Sequence, residues 1–143
     1  MQRFVYSVVF VALLGAALIG AFDDKEAMAK FVETAERCKG EVGASDADVQ
    51  SAMKHEPAGT YEGKCLRACV MKNFKVLNDN GKLDTEAGRE KAKQYTGSDP
   101  SKLKLALEIG DICSAIAVPD DHCEAAEKYS MCFKTEAKKH GLV

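Results

Sequence analysis

Along the 143 residues the apolar positions follow two regimes. From Phe4 to Phe22 they run almost unbroken, interrupted by Ser7, Gly15 and Gly20; past Asp23 they recur every three or four positions, the period of a helix with one buried face. No stretch alternates convincingly with period two, so the later chain is expected to be all helical. Asp23 or Asp24 caps a first helix to about Lys39, with Met28, Phe31, Val32, Ala35 and Cys38 on one face and Gly40 and Gly43 ending it. Ser45 with Asp48 resembles a capping box for a short second helix that turns Val49, Ala52 and Met53 inward and stops before Pro57. A third helix is expected from Thr60 to Leu77, followed by a turn over Asn78–Leu83. Asp84 caps a fourth, mostly charged helix to about Tyr95, expected at the surface. Asp99 and Pro100 open a fifth from Ser101 to Ala117, whose Leu103, Leu107, Ile109, Ile112, Cys113 and Ile116 predict burial on several sides. Beyond Pro119, Asp120 caps a sixth helix to about Lys139, carrying Cys123, Ala126, Tyr129, Met131, Cys132 and Phe133.

The first apolar run changes the picture of the rest. Arg3 followed by that run has the form of a secretory signal peptide, with cleavage expected after Ala21, just before Asp23-Asp24-Lys25-Glu26. An uncleaved anchor fits less well, because Ala and Gly dilute the run and no Lys/Arg cluster follows it. The expected organisation is therefore a leader, 1–21, and one helical domain, 22–143, secreted and extracellular. Without the leader, Leu, Ile, Val and Phe make up only 21 of 122 residues, a lean core. A formal net charge of −2 offers no clustered basic surface for nucleic acid or an anionic membrane.

Six cysteines follow the leader, at 38, 65, 69, 113, 123 and 132. In an oxidising compartment they read as three disulfides, which would stiffen a chain with so little apolar surface. Cys65 and Cys69 stand at i and i+4 on the third helix with near-parallel Cβ directions, better placed to reach two different elements than each other. Excluding that pair leaves about 12 of 15 pairings open. No metal or cofactor is implied. Cys65 and Cys69 lack a second ligand pair for zinc, and His55, His122 and His140 are isolated and read as surface residues. Asn78-Asp79-Asn80-Gly81 has part of an EF-hand pattern, but the register puts Val76 and Ala87 where calcium ligands should stand. No Gly-x-Ser-x-Gly elbow occurs, and Asp121-His122-Cys123 lacks the glycine-rich calcium loop of a small secreted phospholipase. The chain is not expected to be an enzyme.

The cysteine spacing, with 26, 3, 43, 9 and 8 residues in the intervals, resembles the six-cysteine signature of insect odorant-binding proteins. The stretches from Lys64 to Asn73 and from Val118 to Glu124 are similar to those of fly general odorant-binding proteins. The resemblance implies the pairing Cys38–Cys69, Cys65–Cys123 and Cys113–Cys132, and about six helices around an internal hydrophobic cavity. It implies a monomeric or weakly dimeric secreted carrier of small hydrophobic odorants or pheromones, delivered through sensillar lymph to receptors with transient contact there. The alternative is a carrier in haemolymph or other tissue for a hormone, fatty acid or tastant, or a ligand scavenger. Candidate lining residues, spread over the six helices, are Phe31, Met53, Val70, Phe74, Leu77, Tyr95, Leu107, Ile112 and Phe133. Tyr95 would offer a hydroxyl to orient an alcohol or carbonyl. Only 11 residues follow Cys132, so a long tail helix filling the cavity is not expected.

Overall fold

The computed structural model describes residues 25–96 and 99–141, and the leader and its cleavage site lie outside them. Six helices form among the described residues: α1 Lys25–Val42, α2 Asp46–Met53, α3 Tyr61–Asn73, α4 Thr85–Thr96, α5 Pro100–Ser114 and α6 His122–Lys139. The only pairing of extended chain among them is an isolated bridge between Leu77 and Leu83. None of these helices is long and apolar enough to cross a membrane.

Short polar side chains set where the helices begin. Ser45 Oγ accepts from the Asp48 N–H while Asp48 Oδ2 accepts from the Ser45 N–H, completing the box at α2. Thr60 caps α3 through the Gly63 N–H and donates its hydroxyl proton to Asp48 Oδ1 at 2.7 Å, so the starts of two helices are tied together. Gly63 is required there, since a Cβ would stand 2.8 Å from that carboxylate oxygen. The Ser45 N–H and the Thr60 hydroxyl hold the Asp48 carboxyl below its ordinary range.

Several boundaries differ from the sequence expectation. α1 continues through Gly40 and stops only where Gly43 takes a positive φ of 73°. α3 ends at Asn73 rather than Leu77: Phe74 is its C-cap, Lys75 adopts a φ of 63°, and the chain bends at Val76 to bring Leu77 into its bridge with Leu83. Asp121, not Asp120, caps α6, accepting from the Cys123 and Glu124 N–H groups. α5 stops at Ser114 and is buried on one side, through Ala106, Ile109 and Cys113, rather than on several.

α3 packs along α6 at the centre, with α1 on α3, α5 on α6 and α4 on α5. Leu66, Met71, Ile109, Tyr129 and Phe133 fill the middle, and the rings of Phe31 and Phe74 stack with centroids 6.4 Å apart. Disulfides join α1 to α3 through Cys38–Cys69, α3 to α6 through Cys65–Cys123, and α5 to α6 through Cys113–Cys132. These are the pairs that the family resemblance implies. In the chain-entropy picture, loops of 31, 58 and 19 residues give stabilisations of about 3–4 kcal/mol each. The helices α2 and α4 contain no cysteine.

Candidate ligand-binding site

Where α3 ends, the chain folds back on itself, and this return builds one wall of a pocket. Asn78 Oδ1 accepts from the Asn80 and Lys82 N–H groups, and the Asp84 N–H donates to the Val76 carbonyl at 2.8 Å. Val76 and Leu83 are thereby set beside each other, and Asp84 caps α4 by accepting from the Ala87 N–H. Facing them, α4 contributes Gly88 and Ala92 one turn apart, and α5 contributes Ala106 and Gly110 with the same spacing. These small residues leave room between the helices: a Cβ added to either glycine would meet nothing within 4 Å.

The pocket so formed has a volume of about 50 Å³. Val76, Leu83, Ala92, Ala106, Leu107 and Phe133 make an apolar floor, and Asp84, Thr85, Arg89 and Asp111 stand at the rim. Fifty cubic ångströms is well short of the ~300 Å³ or more usual for an organic ligand, so accommodating one requires the walls to part.

Of the nine candidate lining residues, Leu107 and Phe133 face this pocket. Phe31, Val70 and Leu77 are buried in the main core, and Phe74 and Met53 pack partly buried against it. The side chain of Tyr95 lies outside the described residues. Ile112 is a correction, being 45% exposed: at 100° per residue it stands well to one side of the buried line through Ala106, Ile109 and Cys113. Hydrophobicity alone does not single out the glycines, alanines and charged rim; the i,i+4 pairs of small residues on α4 and α5 are the signal that could have done so.

A set of buried polar groups lies between α2, α3 and α6. Arg67 pairs with Glu127 at 2.9 Å and donates to the Glu56 carbonyl, while Glu127 Oε1 accepts from the Ala58 N–H. His55, expected at the surface, is instead 5% exposed, because this clamp draws the loop after α2 onto the core. Neither of its ring nitrogens has a partner among the described residues. Burial first, then the positive charges of Lys134 and Arg67, push the His55 pKa down to about 4. His122 is half-buried with Nδ1 2.7 Å from Lys72 Nζ, and His140 is exposed. A wide surface groove along α1, α3 and the start of α6 holds Glu41, Glu62, Lys72 and His122 and is too open to enclose an apolar molecule. The grouping of Cys38, Glu41 and Cys69 nearby offers no thiolate, since both sulfurs are in the disulfide.

The PBP/GOBP family pattern extends over residues 20–136. The chain belongs to the PBP/GOBP family. Over the full length of both proteins it is 68% identical to general odorant-binding protein 28a of Drosophila melanogaster. Its fold matches the solved structure of a Drosophila melanogaster odorant-binding protein with a TM-score of 0.74 at 71% identity, covering 83% of this chain and 98% of that one. A cockroach pheromone-binding protein from Leucophaea maderae, solved in complex with the fluorescent reporter ANS, shares the fold at 19% identity, with a TM-score of 0.55 over 78% of this chain and 92% of that one. The PBP/GOBP family is not one of enzymes, and this member is accordingly not an enzyme.

Proposed function

We propose that this PBP/GOBP member is secreted after loss of residues 1–21 and that its domain, 22–143, carries small hydrophobic odorants or pheromones. It would take them up in the pocket between α4, α5 and α6 and bring them through sensillar lymph to receptors. The observation that carries this reading is the apolar floor of Val76, Ala106, Leu107 and Phe133 beneath a charged rim, inside a scaffold whose α5 and α6 are cross-linked to each other and α6 to α3. Disulfides allow helices to be held apart where a chain without them would collapse to remove a costly void.

Binding would be mainly desolvation. Enclosing about 300 Å² of apolar ligand surface at ~25 cal/mol/Å² gives a gross gain of about 7 kcal/mol, which corresponds to a Kd of about 10 µM before entropic losses weaken it further. Competitive displacement of a fluorescent apolar probe from the oxidised protein tests the reading. Saturable binding displaced by neutral odorants supports it, and the absence of saturable binding sinks it. Staining of olfactory sensilla with a specific antibody tests the site of action, and expression confined to other tissue would shift the cargo away from odorants.

A further inference from the structure

The two outer walls of the pocket meet along a seam between α4 and α5. Across that seam Arg89 of α4 donates to Asp111 Oδ1 of α5 at 3.2 Å, with the two side chains 58% and 60% exposed. Both residues belong to the pocket rim. Beneath them the seam is thin, because Gly88 and Gly110 leave open space where side chains would stand. The attachment of the two walls differs: α5 is bonded to α6 by Cys113–Cys132, whereas α4 has no cysteine and packs mainly on α5. α4 is thus the wall freest to move, and the small volume of the pocket requires a wall to move.

We propose that the α4–α5 seam is the ligand entrance, latched by the Arg89–Asp111 pair, and that the excess acid on its rim selects uncharged amphiphiles over carboxylates. The proposal rests on the carrier reading above. An exposed pair is screened by water and salt, so it is a weak latch, and its removal shifts the balance of closed and open forms by up to about fivefold. Selectivity follows from who stands at the rim. Asp84 and Asp111 share the rim with a single guanidinium, that of Arg89, which engages Asp111, while Asp84 accepts from the Ala87 N–H. A carboxylate head entering here meets one uncompensated negative charge, whereas a hydroxyl or carbonyl does not. Partly screened repulsion at such range is worth about five- to tenfold in affinity.

The test uses the full oxidised domain and the neutral probe N-phenyl-1-naphthylamine, followed by stopped-flow fluorescence and then displaced by decan-1-ol or decanoate. Arg89→Ala is expected to speed association and dissociation together by about two- to fivefold, with little change in Kd. The exchanged pair, R89D with D111R, is expected to return toward wild-type rates, and added salt to quicken wild type but not Arg89→Ala. Wild type is expected to favour decan-1-ol, and Asp111→Asn to raise the relative affinity of decanoate about fivefold. Unchanged exchange rates in Arg89→Ala, or decanoate binding wild type as well as decan-1-ol, would overturn the proposal. A wild type that binds no probe at all would fail the carrier reading itself, a distinct result that removes this proposal with it.

Discussion

Arg67 on α3 and Glu127 on α6 form an ion pair at 2.9 Å in the interior, with their side chains 3% and 12% exposed. Through the Glu56 carbonyl and the Ala58 N–H the same two residues hold the loop between α2 and α3 against the core. The pair contrasts with Arg89 and Asp111, which meet in solvent across the pocket rim. One clamps a fixed part of the scaffold; the other spans two pocket walls that have to part before an organic ligand can fit.

Breaking the interior pair should be costly. Glu127→Ala leaves the Arg67 guanidinium buried without its counter-ion and frees the loop, for an expected loss of about 3–5 kcal/mol in urea unfolding. Replacing both residues by Met should cost much less, because no uncompensated charge remains. A loss below ~1 kcal/mol in the single variant would show that the pair carries little weight.

Acid should weaken the fold through His55. Its pKa is held near 4 in the folded chain against 6.5 when free, so between these values the unfolded chain binds the extra proton and the fold does not. Stability therefore falls as pH drops from 6.5 to 4, by at most about 3 kcal/mol from this group, and is unaffected by it above and below that window. His55→Asn removes the titration while tolerating the positive φ of 57° at this position. Urea titrations at several pH values should show a flatter profile in the variant, and equal slopes between pH 6.5 and 4.5 would refute the assignment. The depressed carboxyl of Asp48 acts lower, below its free value of 3.8.

Cys65→Ser opens the longest disulfide loop and strands Cys123. An expected loss of about 4 kcal/mol corresponds to a melting temperature lower by more than ~10 °C. Mass mapping of the oxidised wild type should recover Cys65 joined to Cys123, and Cys65 joined elsewhere would reject this connectivity.

Much of the scaffold is legible in the sequence because its signals are local. Ser45 and Asp48 mark α2, Asp99 and Pro100 mark α5, and Leu107 and Phe133 stand out as apolar residues on helical faces. The features that escape are set by tertiary geometry. The apolar run through Val76 and Leu77 continues the pattern of α3, yet the turn at Lys75 takes it out of the helix and sends Val76 to the pocket and Leu77 to the core. Gly88, Ala92, Ala106 and Gly110 have too little hydrophobic signal to announce a binding surface, since they contribute by leaving space. A solitary histidine in a polar loop gives no sign of burial, because the Arg67–Glu127 clamp that buries His55 comes from elsewhere in the chain.

Ligands are expected to bind between α4, α5 and α6. Gly110→Leu tests this most directly, by filling the open space at the pocket wall with a residue that favours a helix more than glycine does. Titration with N-phenyl-1-naphthylamine should give saturable binding for wild type and at least about tenfold weaker binding for Gly110→Leu, with no loss of melting temperature. Equal affinity in the two proteins would place the ligand elsewhere and rule out this pocket.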